Sequence, residues 1–195
     1  MSGQRVLVTG GAGFLGSHFI RARLARYPSD AIVALDALTY AGSRARLADA
    51  ERTGRCQFLR GDICEPEVVQ AAMRGCDAVV HFAAETHVDR SITNAAPFLR
   101  TNVEGTQILL GAAQAEGVRR LVHISTDEVY GPVLEGAVDE SAPLAPRSPY
   151  AASKMADEAL IYSYTKCYGI DHIVCRFSNV YGMYDKSDRF IPLLM

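Results

Sequence analysis

The sequence predicts an α/β fold built on a doubly wound parallel sheet. Three observations predict it. Short apolar, β-branched runs alternate with longer stretches whose apolar residues recur at helical spacing. The short runs are apolar along nearly their whole length rather than at every second residue, as in strands buried on both faces. A glycine-rich turn joins the first run to the first helical stretch. Together these describe a parallel sheet with helices on both faces and right-handed crossovers.

Taken in order, 5–9 (RVLVT) is the first strand, and 14–27 repeats Phe14, Leu15, Phe19, Ile20 and Leu24 at helical spacing. Strands follow at 31–36 and 56–60, then a short helix at 65–74 and a fourth strand at 77–82. A long helix is expected over 96–115, stopped by Gly117, and a fifth strand over 121–125. A loop punctuated by Pro132, Pro143, Pro146 and Pro149 leads to a second long helix over 150–168, stopped by Gly169, and to a sixth strand at 173–177. The pattern ends there. Residues 1–178 read as the dinucleotide-binding domain, and 179–195 as a loop that opens a further, truncated region.

At 195 residues the chain fills one domain, and its 49% apolar and 22% charged content is ordinary for a globular protein. A net charge of −2 argues against a nucleic-acid partner. The five cysteines are odd in number with no CxxC pair, which fits reduced thiols in a reducing compartment. No leader or membrane-length apolar run is read from the sequence, so a cytoplasmic setting is expected.

Thr9-Gly10-Gly11-Ala12-Gly13-Phe14-Leu15-Gly16 lies between strand and helix. Side chains at Gly10 and Gly13 would block a tight turn and the approach of a pyrophosphate to the backbone, Gly16 lets helix and strand pack closely, and the helix N-terminus offers free N–H groups to the anion. A bare tight turn is the alternative, but the strand–loop–helix setting favours a Rossmann dinucleotide site. Asp36 closes the second strand, where its carboxylate can accept hydrogen bonds from the adenosine ribose and would repel a 2′-phosphate, so NAD is favoured over NADP; it could instead cap the next turn. Asp62-Ile63 stand where they could meet the adenine edge, and Phe82-Ala83-Ala84 offer small residues where a flat cofactor must pass.

Tyr150 and Lys154 lie four apart at a helix start and share a face. A nearby ammonium stabilises phenolate and readies it as a general base, and Lys154 could also hold the nicotinamide ribose. Ser125-Thr126-Asp127-Glu128 precede them. Oxidising an alcohol needs only the Tyr and Lys, so the two extra carboxylates suggest elimination of water. Neighbours in an extended strand point to opposite faces, so the strand must end by about Thr126 and turn if Asp127 and Glu128 are to serve one substrate. Otherwise they are a solvated acidic pair. His81 and His123 read as packed core histidines. No metal site is expected, since His87 and Asp89 lack a third ligand.

These motifs resemble the extended short-chain dehydrogenases that act on nucleotide sugars, and most of all the dTDP-glucose 4,6-dehydratase family. The resembling residues run from Gly10 to His18, through Asp36, Leu38 and Thr39, Gly61-Asp62-Ile63, the stretch from His81 to Ser91, Thr101 to Thr106, Ser125 to Gly131 and Ser148 to Lys154. The resemblance implies that Thr126 holds the sugar O4 while Tyr150 takes the C4 hydroxyl proton and hydride passes to NAD. Glu128 then removes the C5 proton, Asp127 protonates the departing C6 hydroxyl, and hydride returns to C6. It also implies that Thr86, Asn179, Arg189 and Phe190 contact the substrate. Phe14, Leu15, Leu38, Thr39, Thr101 and Val180 would lie at the cofactor, and a homodimer would form through the two long helices.

Two departures bear on the substrate. Val180 stands where close relatives carry Asn, and Met183-Tyr184-Asp185-Lys186-Ser187-Asp188-Arg189 replaces a Pro-Tyr-Gln-x-Pro-Glu-Lys-like stretch. That form is similar to nucleotide-sugar epimerases and decarboxylases, so a UDP-sugar 4-epimerase or decarboxylase is the alternative to a hydro-lyase. A non-enzymatic NAD-binding sensor or scaffold is a third reading, disfavoured by the intact Tyr–Lys pair and carboxylates. The family's chains are longer, so a truncated chain lacking the C-terminal substrate domain is expected to turn over little.

Overall fold

The computed structural model describes residues 3–183. Six parallel strands, β1 (Arg5–Thr9), β2 (Ala31–Asp36), β3 (Cys56–Arg60), β4 (Ala78–His81), β5 (Arg120–Thr126) and β6 (Asp171–Phe177), line up in the order β3-β2-β1-β4-β5-β6. The order reverses between β1 and β4, and both pair parallel to their neighbours in register Val6 with Ala78 and Thr9 with His81. This is the doubly wound Rossmann arrangement, whose crevice opens at the carboxyl ends of the strands where the order switches.

Each face of the sheet has its own core. On one, α1 (Phe14–Arg26), α2 (Ala48–Arg52) and the turn before α2 cover β1 to β3 through Ile20, Leu24, Ala50 and Leu47, packed on Val6, Val8, Ile32 and Ala34. On the other, α3 (Pro66–Met73), α6 (Gly105–Ala115) and α7 (Pro149–Tyr168) pack Val69, Met73, Leu109, Leu110 and Ile161 on Leu7, Val33, Leu35, Val79 and Leu121. Each such aliphatic side chain taken out of water contributes about 1.5–3 kcal/mol.

Four departures from the sequence expectation have physical causes. A 3-10 turn (Arg44–Leu47) leading into α2, and the short α4 (Val88–Thr93), are not among the expected elements, being too short to display helical periodicity. The helix expected over 96–115 is three pieces, α5 (Ala96–Phe98), a π-helical turn (Leu99–Glu104) and α6, since apolar spacing does not register one residue inserted in a helix. β4 is one residue shorter at each end than expected, and β5 and β6 are longer, because their edges pair with each other along seven residues.

Candidate active site

The carboxyl ends of β1, β2, β4 and β5 form one rim, and the glycine loop, Asp36, Phe82 and Thr126 stand at these strand ends. At its centre is the glycine loop. Gly10 has φ +65°, and a Cβ there would stand 2.7 Å from the Ala83 nitrogen, so the loop presses backbone to backbone on the chain leaving β4. A Cβ on Gly16 would meet the Gly10 carbonyl at 2.2 Å, which explains why α1 can begin so close to the loop. The first turn of α1 holds no acidic residue and no side-chain cap, leaving its N–H groups for an anion. This cradle fits a dinucleotide pyrophosphate.

Asp36 sits at the adjoining strand end, and both of its oxygens already accept backbone N–H groups, from Ala12 at 2.9 Å and Leu38 at 2.8 Å. It fixes the loop and its own turn at once, with Leu38 in the left-handed region at φ +55°. Each oxygen keeps a second lone pair for a ribose hydroxyl. Thr39 beside it is exposed. Asp62 accepts from the Cys64 nitrogen and pairs with Arg100 at 3.6 Å, while Ile63 is buried under α6. The Phe82 ring turns away to pack on Phe19, so it is the backbone of Phe82 and Ala83 that faces the glycine loop, with Ala84 partly buried next to them.

The segment after β4 is tied down by Asn102 in the π-helical turn. Asn102 is fully buried; it accepts from the Glu85 nitrogen, and donates to the Glu85 carbonyl and to Ser153 Oγ. Ser153 Oγ in turn donates to the Tyr150 carbonyl. One amide thus couples the β4 loop to the turn of α7 that carries Tyr150, and the Phe98 ring meets the Tyr150 ring edge-on at 6.2 Å. Thr101 lies partly buried in the same π turn, and Thr86 reaches the Tyr40 hydroxyl at 3.5 Å.

β5 ends at Thr126, as the carboxylate argument requires. Thr126 Oγ1 accepts from the Glu128 nitrogen and caps a 3-10 turn over Asp127–Tyr130 that packs against α7. The turn breaks the alternation of the strand, so Asp127 and Glu128 are both exposed while Val129 is buried as its anchor. Below them Ser125 Oγ donates to Glu158 at 2.5 Å, and Arg176 forks onto Glu158 and donates to the Tyr130 hydroxyl at 2.6 Å.

Lys154 is placed otherwise than a surface Tyr-x-x-x-Lys would suggest. Its side chain is 2% exposed, and its ammonium donates to Asp157 Oδ2 at 2.7 Å and meets His123 Nε2 at 3.1 Å. His81 lies behind, its ring 5.2 Å from that of His123, bonded to Thr9 and Thr106. Burial pulls His81 down to about 3 and His123 well below its ordinary range, with Lys154 adding to both, so the two rings are neutral. Burial pushes the Asp157 carboxyl up to about 6 against the pull of Lys154.

After β6 the chain crosses back to α1, where the Met183 carbonyl meets His18 Nε2 at 2.7 Å. Asn179 on this crossing is exposed and Val180 partly buried. Arg189 and Phe190 lie outside the described residues. Sequence reasoning did not single out Asn102, Ser153, Asp157 or Glu158. The spacing of Lys154 and Asp157 was visible, but such a helical pair is ordinarily a solvated one. Among the described residues no group of three His, Cys, Asp or Glu side chains could hold a metal ion, and no helix is long and apolar enough to cross a membrane.

Residues 6–195 match the family model described as the NAD dependent epimerase/dehydratase family. The chain is 50% identical over 194 residues to a dTDP-glucose 4,6-dehydratase of Streptomyces niveus, covering 97% of this chain and 58% of that one. Among solved structures it is similar to a dTDP-glucose 4,6-dehydratase from Streptomyces venezuelae with NAD bound, at 51% identity and a TM-score of 0.93, covering 97% of this chain and 60% of that one. A UDP-N-acetylglucosamine 4-epimerase from Methanobrevibacter ruminantium M1 follows at 26% identity and a TM-score of 0.90, with 98% and 61% covered. The chain therefore spans about three fifths of the length of the relatives it matches.

Proposed function

The chain belongs to the NAD dependent epimerase/dehydratase family, and on that premise we propose that it is the NAD-binding part of a nucleotide-sugar 4,6-dehydratase, a hydro-lyase acting on dTDP-glucose. The observation that carries this reading is the turn after β5. It sets two carboxylates, Asp127 and Glu128, at the strand end packed against the helix of Tyr150 and Lys154. An epimerase has no need of that second pair of acid–base groups.

Bound NAD supplies a reversible two-electron acceptor beside the sugar. It would be held by Gly10, Gly13, Phe14, Leu15 and Gly16 at the pyrophosphate, by Asp36, Leu38 and Thr39 at the adenosine ribose, and by Asp62 and Ile63 at the adenine. Phe82, Ala83, Ala84, Thr101, Lys154 and Val180 would flank the rest. The Tyr150 phenolate takes the C4 hydroxyl proton, with the Lys154 ammonium stabilising its charge, and Thr126 Oγ1 orients O4. The new carbonyl acidifies C5, Glu128 removes that proton, and Asp127 gives its proton to the leaving C6 hydroxyl. Such a division needs one carboxyl to act as the acid and the other as the base. Thr86 and Asn179 would touch the sugar nucleotide, joined by Arg189 and Phe190.

The same reading takes 1–178 as the cofactor domain and 179–195 as the start of the substrate-binding region. It also takes the protein as a cytoplasmic homodimer. Leu99 in the π turn and Tyr162 and Tyr168 on α7 are more than half exposed and would be available to such a pairing. The epimerase alternative rests on the similar epimerase structure and on Val180. The full native protein, incubated with dTDP-glucose, is expected to form a 4-keto product with alkali-induced absorbance. No rise, with interconversion of UDP-hexoses, would assign the epimerase instead.

A further inference from the structure

The buried group behind Tyr150 has more in it than a Tyr–Lys pair requires. Asp157 is fully buried, one of its oxygens holds the Lys154 ammonium, and the other has no hydrogen-bond partner among the described residues. His123 is equally buried. For its Nε2 to accept from the ammonium its proton must sit on Nδ1, which also lacks a partner among the described residues. A fold that leaves two buried polar atoms unsatisfied is holding those side chains for the third.

We infer that Asp157 is a positioning residue for the proposed reaction: its carboxylate, with the neutral His123 ring as second acceptor, keeps Lys154 charged inside the fold, and Tyr150 is readied as a base only through that charge. An ammonium this buried, left with neutral partners alone, loses its proton readily; buried lysines titrate as low as about 5–6. The ammonium has three donors. Asp157 and His123 take two, and the four-residue spacing puts Lys154 and Tyr150 on one face of α7.

The other charged groups nearby do not replace Asp157. His81 on β4 is neutral and lies behind His123. Glu158, next along α7, is committed to Ser125 and to Arg176 of β6. Asp127 and Glu128, on the turn packed against α7, are exposed. The carboxyl of Asp157, raised by burial, adds a pH sign. Above about 6 it is ionised and holds the ammonium; below that it takes up a proton and the hold weakens.

The inference rests on the reading that Tyr150 and Lys154 are the reacting pair, yet its test needs no turnover, so the two can fail separately. The test follows the Lys154 side-chain carbon and the Tyr150 ring carbon by NMR against pH in the full native protein, with Lys154→Arg used for assignment. In Asp157→Asn the Lys154 midpoint is expected to fall by more than about two pH units, and the Tyr150 midpoint to rise. Asp157→Glu is expected to restore both. In the unmutated protein the Lys154 signal is expected to move as Asp157 titrates near 6, a measurement that stands even if Asp157→Asn does not fold. A Lys154 midpoint unchanged in a folded Asp157→Asn, or a Lys154 signal flat through that range in the unmutated protein, overturns the inference.

Discussion

Lys154 with Asp157 and Asp127 with Glu128 are two sets of charged groups on adjoining elements, held by opposite means. The first is sealed: both side chains are at most 2% exposed, and their geometry is dictated by helix packing, a histidine and a 2.7 Å contact. The second is open. Its backbone is fixed by the Thr126 cap and the buried Val129, while its side chains reach into solvent. The difference teaches that the described fold orders Lys154 and Asp157 by itself, whereas for the exposed carboxylates it sets position only. A dry, directional setting for them has to come from whatever lies over the rim.

The widest separation should appear in the full native protein assayed with dTDP-glucose. Tyr150→Phe is expected to lower 4-keto product formation about 1000-fold. Asp127→Asn is expected to lower it about 100-fold while leaving C4 oxidation intact, seen as reduced nicotinamide accumulating on the enzyme. Equal loss of both steps in Asp127→Asn would erase the distinction drawn here.

A second contrast is in stability. Asn102→Ala removes an amide that bridges the β4 loop to α7 and strands its buried partners, at a cost of about 2–3 kcal/mol in urea unfolding. Asp127→Ala, on the open side, should change unfolding by no more than about 0.5 kcal/mol. A comparable cost at Asp127 would mean that its side chain is held more firmly than its exposure indicates.

The smallest effect sharpens the sealed side. His81 is held neutral with a folded pKa of about 3. Below its ordinary value of about 6.5 the unfolded chain takes up a proton that the folded chain refuses, so stability falls as pH drops from there toward 3. Between pH 7 and 5 this group alone accounts for about 2 kcal/mol. Asp157 works in the opposite sense, since the folded state takes its proton first. Comparing unfolding at the two pH values in the unmutated protein and in His81→Gln isolates the histidine term; an identical pH dependence in both would refute it.

Much of the frame was legible because burial on two faces leaves a direct mark in composition. The runs 5–9, 31–36 and 56–60 are strands with the expected ends. The break after Thr126 was legible too, from the argument that neighbours on a strand cannot face one way. The partners of Lys154 were not. A Lys and an Asp three apart on a helix spell the same whether they face water or the core, and only the sheet behind α7 decides which. His123 is adjacent to Lys154 through β5, 31 residues away, and no local pattern conveys such a contact. The π turn was hidden for a related reason: its effect, swinging Asn102 between Glu85 and Ser153, exists only in three dimensions.

Since every strand of the sheet points the same way, the opposite rim, where Gln4, Asp77, Arg119 and Asp171 line a cavity of about 500 Å³, is set back from the rim of the glycine loop by a full strand, about 17 Å. Dyes, surface tethers or purification handles fixed there would leave the glycine loop and α7 unobstructed, which makes that rim the natural side from which to hold this protein for single-molecule work.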